Sequence, residues 1–377
     1  MARLEGTADL PLHSGNAPPW LFRRMRALGG ALLDLLIKDA GQNGAIERIS
    51  DPFWFQALSC LLGFDWHSSG TTTVTLAALK AGARDRDLPV HIYGGKGRAA
   101  TSVPEQLERE ESTAIRDDAE RLRRISRTAA RVDTLALQDG YDLYHHTLIV
   151  SERGAWAVVQ QGLNAERRYA RRYHWSFRSE GDMVAEPHTA IIGLKAENVM
   201  DLTSHISEEC RKAMVEAVNS RKAGVLEHAV MSRSAAQSTL DDFSLQGVKA
   251  LKLEWGTNWR ILRDNIERIA ASCPANFEEL ISVQGVGKKT ILALAMASSL
   301  VYGTECSWRD PVKYSFAVGG KDGIPYPVDT SRMERMTEII DAALRETGRS
   351  REFRRETLGR LSEFFEKGSM GKALPLH

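Results

Sequence analysis

The chain has 377 residues, 43 % hydrophobic and 26 % charged, with a formal net charge of only +1. That is enough for two or three domains with ample core, and it leaves no global basic excess, so affinity for nucleic acid must be carried locally. No apolar run reaches the roughly 18 residues of a membrane span, MARLEGTADLPLH lacks the apolar stretch of a secretion signal, and Cys60, Cys210, Cys273 and Cys306 form no CxxC pair, so the expectation is a cytoplasmic protein with no membrane partner.

In chain order, residues 1–17 read as irregular. Helices are expected over 18–38, behind Pro18 and Pro19, over 51–62 behind Asp51-Pro52, and over 71–83. LPVHIYGG (88–95) reads as a short buried strand, and 104–130 as a charged, solvated helix. Strands follow at 144–150 and 155–160, joined by the turn Ser151-Glu152-Arg153-Gly154. Asn164 is expected to cap a helix running to Tyr173, and TAIIGL (189–194) reads as a further strand. Beyond residue 198 the strand signals stop. Helical patterns cover 199–221, 224–236, 258–272, 276–301, 329–346 and 351–367. Mixed elements followed by helices alone predict two domains, 1–198 and 199–377.

The sharpest motif is FEELISVQGVGKKTILALAMA, a helix, the turn Gln284-Gly285-Val286-Gly287, and a second helix from Lys288. Gly285 and Gly287 permit a tight turn and a close backbone approach, and the second helix offers free N–H groups to an anion. Lys288, Lys289 and Thr290 add donors there. The pattern resembles the helix-hairpin-helix family. That resemblance implies a grip on the DNA sugar-phosphate backbone without sequence readout, and a monovalent cation held by the hairpin carbonyls. NWRILRDNIERIAASCP before it and IPYPVDTSRMERM after it resemble the glycosylases of that family. There a lysine attacks the sugar and an aspartate assists, positions held here by Lys289 and Asp329.

HHTLIVSERGAWAVVQQGLN resembles the signature of the phospholipase D superfamily of phosphodiesterases. That resemblance implies an α/β fold, His145 or His146 as nucleophile on a strand, and a supporting carboxylate from Glu186. Amides of Gln161 and Asn164 would cradle the phosphate oxygens. Thr147 stands where the superfamily has lysine, so the cation is expected from Lys96, Arg98 or an arginine of the following helix. A single copy of the motif implies a homodimer. No cofactor is needed when histidine attacks. Alternatively Asp142, His146, His174, Glu186 and His188 assemble a divalent-metal site.

ERRYARRYHW interleaves arginines with aromatics, and Arg168 and Arg172 are expected to meet single-stranded DNA. DWHSSGTTT places small hydroxyls at a helix N-terminus, suited to a phosphate or to a plain N-cap. The runs PLHSGNAPPWLFRRM, DPFWFQALSCLLGFDWHSSGTTTVTLAALK and YGGKGRAA together resemble a prokaryotic family catalogued as domain-of-unknown-function family 763. The sequence therefore predicts a phospholipase D-like α/β domain followed by an all-α helix-hairpin-helix domain. The expected activity is a DNA nuclease acting at non-duplex features in repair or recombination. A glycosylase or abasic-site lyase, or a non-catalytic DNA-binding repair protein, stands as the alternative.

Overall fold

The computed structural model describes residues 19–62, 70–220 and 259–312. Asp329, and the helices expected over 224–236, 329–346 and 351–367, lie outside the described residues.

The N-terminal third is helical. Helix α1 (Pro19–Ser50) is broken in backbone conformation at Gly41, and α2 (Pro52–Leu62) follows at once. Asp51 caps α2, its Oδ1 accepting from the amides of Phe53 at 2.9 Å and Trp54 at 3.0 Å. Helix α3 (Gly70–Asp85) crosses α1 with the two backbones touching. A Cβ on Gly82 would lie 2.5 Å from the carbonyl oxygen of Arg26, so no larger residue fits there.

A five-stranded antiparallel sheet forms the centre, in the order β1 (Val90–Lys96), β3 (Asp142–Ser151), β4 (Trp156–Asn164), β5 (Tyr169–Ser176), β6 (Ala190–Ile192). The expected β3–β4 hairpin is present, with Gly154 at φ 85° in its turn. Between β1 and β3 the single helix expected over 104–130 is three: α4 (Val103–Glu108), α5 (Thr113–Asp117) and α6 (Ala119–Arg131). Helix α6 runs into a π-helical turn, Val132–Ala136, and then the short strand β2 (Leu137–Gln138).

One expectation fails outright. The helix expected from Asn164 to Tyr173 is strand β5, hydrogen-bonded along its length to β4. Both faces of β5 are covered, and Arg171 and Arg172 are themselves fully buried. A strand buried on both sides shows no polar–apolar alternation, so its period of two is invisible in sequence. A second, smaller difference lies past residue 198. There β7 (Met200–Asp201) pairs with β2 before the helices α7 (Glu208–Asn219), α8 (Trp259–Ser272), α9 (Phe277–Ser282) and α10 (Lys288–Tyr302).

The sheet separates two cores. On one face Ile92, Ile149, Ala157 and Val159 pack against α1, α2 and α3. On the other, Leu148, Trp156, Val158, Tyr173 and Trp175 share a single cluster with α6, α7, α8, α9 and α10. The boundary expected near residue 198 falls inside this shared core. Among the described residues no helix is long and apolar enough to cross a membrane.

Candidate nucleic-acid interface and reaction centre

His145 and His146 are adjacent on β3, so they point to opposite faces of the sheet. The two faces treat them differently.

His146 lies on the face covered by α6. The Gln160 amide donates from Nε2 to Asp133 at 2.5 Å, which turns its Oε1 towards His146 Nδ1 at 2.8 Å. Nδ1 therefore carries the proton, and Nε2 is left to accept the Ser126 hydroxyl at 2.8 Å. Asp133, at the π-helical turn, also accepts from Trp175 Nε1 at 3.1 Å and from His188 Nε2. Both nitrogens of His146 are occupied and its ring is buried, so it braces the core and has no atom left for a substrate.

His145 lies on the face covered by α2 and α3, within a row of polar side chains that crosses four strands. Lys96 is its register partner on β1, Gln161 its partner on β4, and Arg172 is the partner of Gln161 on β5. Its Nε2 shares a 2.8 Å hydrogen bond with Thr147 Oγ1, while Nδ1 has no hydrogen-bond partner. Burial, joined by the nearby His146, Lys96 and Lys80, pushes the imidazole down to about 3. At neutral pH the ring is uncharged and Nδ1 is the nitrogen without a partner. Thr147, not Glu186, orients this ring. Lys80 donates to the Gly94 carbonyl at 2.9 Å and to Gln106 at 2.8 Å, which fixes a second cation beside the row. Gln161 donates to the Tyr144 hydroxyl. Arg172 donates to Gln56 at 2.9 Å and lies 4.7 Å above the Phe55 ring. His145 itself is 1 % exposed, so Nδ1 becomes accessible only when part of the covering layer is displaced.

The alternative metal site does not assemble. His174 shares the face of Arg172, whereas His146 and His188 belong to the opposite face, with the sheet between them. Asp142 is exposed and pairs with Lys288 at 2.5 Å. Glu186 sits in a loop whose amide donates to the Thr203 carbonyl at 2.8 Å. Among the described residues no three His, Cys, Asp or Glu side chains group to hold a metal ion. Two further roles change. Asn164 builds the β4–β5 turn, donating to the Gly140 carbonyl at 3.0 Å and accepting from the Arg167 amide at 2.8 Å, and caps no helix. Arg172 belongs to the buried row, so of the expected strand-contacting pair only Arg168 is exposed.

The hairpin forms as its sequence requires. Asn276 caps α9 by accepting from the Glu279 amide at 2.9 Å, and Val286 is buried beneath the turn. Gly285 has φ 83°, and a Cβ there would meet Arg268 Nη1 at 2.1 Å. Gly287 has φ −124° and nothing within 4 Å of its missing Cβ, which leaves open space at the start of α10. Lys289 is exposed, and Thr290 is buried, accepting from Asn265 at 3.1 Å. The carbonyls expected to hold a monovalent cation accept from arginines: Gln284 from Arg268 at 3.1 Å and Val286 from Arg131 at 3.0 Å.

Lys288 joins the two halves of this region. Its Nζ reaches both the Tyr141 carbonyl at 3.3 Å and Asp142, at the start of β3. Asp142 is three residues from His145, about 10 Å along a strand. The same end of the sheet carries the exposed Lys96 and Arg98 after β1, and the exposed Arg167 and Arg168 in the β4–β5 turn. Hairpin, turn and the exposed Lys96 end of the polar row therefore lie at one end of one sheet. The sequence reading missed Lys80, Asp133, Arg127 and Arg131. The run RISRTAAR carried the i, i+4 signal for the last two, but it reads equally as a solvated helix face.

No curated protein and no solved structure matches the chain. A match to the family described as "Protein of unknown function (DUF763)" covers residues 6–328, most of the sequence, and the chain belongs to that family.

Proposed function

We propose that this protein is a DNA-processing phosphodiesterase in which His145 attacks phosphorus and the hairpin holds the backbone nearby. The observation that carries the reading is the cross-strand row. It presents an uncharged imidazole with one nitrogen left over, flanked by Lys96 on one side and by Gln161 and Arg172 on the other. A neutral imidazole is a competent nucleophile towards a phosphodiester. The flanking cations and amide would stabilise the charge that grows on the non-bridging oxygens. Lys288 at Asp142 supports the same reading, because about 10 Å corresponds to about three nucleotides of one strand. The burial of His145 favours a single strand or an extruded nucleotide over intact duplex, since a duplex cannot enter a covered site. The row is present once among the described residues, so a second histidine would come from a second copy.

The test is cleavage by the full chain on single-stranded, bubbled, branched and plain duplex DNA, with and without EDTA. Cleavage of the non-duplex substrates that survives EDTA and disappears in His145→Ala supports the proposal. Loss of activity in EDTA with recovery in manganese or magnesium would reject the histidine nucleophile. The exposed Lys289, at the first turn of α10, supports a second reading as an abasic-site lyase. Borohydride trapping on abasic DNA that disappears in Lys289→Ala while His145→Ala retains it would favour the lyase. Binding without turnover on any substrate would leave a DNA-binding protein.

A further inference from the structure

A turn that crowds carbonyl oxygens together presents negative partial charge, which opposes the approach of a phosphate unless a cation sits among them. In this hairpin two cations from other elements already sit there. Arg131, at the end of α6, donates to the Val286 carbonyl, and Arg268, on α8, donates to the Gln284 carbonyl. Gly285 is adapted to that arrangement, because the space a Cβ would occupy is filled by the Arg268 guanidinium.

Neither arginine is neutralised. Arg268 has Asn265 as its other partner, at 3.4 Å, and Arg131 has no carboxylate partner among the described residues. The same holds for Arg127, exposed one helical turn before Arg131. Other arginines close to carboxylates are paired. On the same helix Arg124 is held by both oxygens of Glu278 at 2.9 and 2.8 Å, and the buried Arg171 lies between Asp139 and Asp310. Partial burial, with Arg127 close by, lowers the affinity of Arg131 for a proton, and like-charged i, i+4 neighbours weaken a helix. A pair kept unpaired beside an open helix N-terminus suits an anion that is not part of the chain.

We propose that Arg131 and Arg268 are built-in cations of the hairpin, so that it grips backbone phosphate without a bound metal ion, and that Arg127 and Arg131 extend the phosphate track along α6. The proposal rests on the DNA-binding reading above. Each guanidinium has five N–H donors, so one bonded to a carbonyl retains others for a phosphate oxygen. Residues 127 and 131 are about 6 Å apart along the helix axis, which lets two side chains serve neighbouring phosphates of one strand.

The experiment measures binding of the full-length chain to a fluorescent DNA oligonucleotide in KCl, NaCl and choline chloride at equal ionic strength. Wild-type affinity is expected to be the same in all three within about 2-fold. Binding at least 5-fold tighter in KCl than in choline chloride would overturn the proposal while leaving DNA binding intact. Absence of binding in every salt would instead remove the reading on which it rests. Arg131→Gln keeps a donor for the Val286 carbonyl but loses the charge. Arg127→Ala removes an exposed side chain with no folding role. Each is expected to weaken binding about 3- to 10-fold and to reduce the salt slope by about one ion, with an unchanged thermal midpoint. Unchanged affinity and slope in both variants would overturn the track along α6.

Discussion

The two faces of the sheet hold adjacent histidines in opposite conditions. On the α6 face, His146 has both ring nitrogens bonded, and Asp133 joins Gln160, Trp175 and His188 into one satisfied network. On the α2–α3 face, His145 has one nitrogen without a partner and two lysines near enough to depress its pKa. A fully satisfied buried network specifies the fold, because any member removed strands its partners in a medium of low dielectric. An incomplete one retains capacity for a ligand. The difference separates a fully bonded ring from one with a nitrogen to spare where residue type cannot, since both residues are histidine.

The largest expected effect sharpens that contrast directly. His145→Ala should slow cleavage by at least about 1,000-fold with DNA affinity nearly unchanged, because a nucleophile acts in the transition state. His146→Ala should do the reverse, destabilising the protein by about 2–5 kcal/mol as Gln160 and Ser126 lose their partner. Thermal unfolding and single-turnover rates on both variants check this. Equal loss of stability in the two would erase the distinction between the faces.

The hairpin glycines permit a second, smaller contrast. Gly285→Ala meets both a positive φ and the Arg268 guanidinium, so it should lower stability by about 1–3 kcal/mol as well as weaken binding. Gly287→Ala places its methyl in open space at an ordinary φ, so stability should hold while DNA binding falls about 10-fold on every sequence alike. Binding isotherms on two unrelated sequences and a melting curve decide it. Sequence-selective loss in Gly287→Ala would mean that the hairpin reads bases.

Arg168 and Arg172 divide in the same way across the end of β5. Arg172→Ala empties a buried site between Gln56 and Phe55 and should cost stability. Arg168→Ala, on the exposed turn, should leave folding untouched. It should lower affinity for single-stranded DNA by a few-fold, more than for duplex. Equal loss on both substrates would reduce Arg168 to a general charge.

The smallest expected effect is a pH trend common to both faces. His145, His146 and His174 all have folded-state pKa values below the ordinary 6.5, chiefly through burial. The unfolded chain therefore binds more protons below about pH 6.5, and stability, fully present above it, declines as pH falls from there towards 3. Melting midpoints between pH 8 and 4.5 should show the fall. A flat profile would mean that the histidines protonate without opening either core.

Much of this architecture was legible in the sequence for local reasons. The Asp51 cap, the β3–β4 turn and the Gly285–Lys288 hairpin depend on backbone conformations that few residues allow, so their signals are short-range and survive folding. Strand β5 was not legible. Its arginines read as solvent-facing until Asp139 and Asp310, from distant segments, enclose Arg171, and Gln56 and Phe55 enclose Arg172. The site divides on the same line. His145, Lys96 and Gln161 could each be named from sequence, but their alignment in one row is a consequence of strand register, which is set by pairing partners up to 61 residues apart in the chain.

What the sequence determined by itself is the identity of the candidate side chains and the local turns beside them, since both depend on residues adjacent along the backbone. Only the tertiary structure decided which of two neighbouring histidines is satisfied, which arginines are buried, and that Arg131 and Arg268 occupy the hairpin carbonyls. Those outcomes depend on what packs across the sheet and against the hairpin, and partners 14 to 155 residues away on other elements have no local signature.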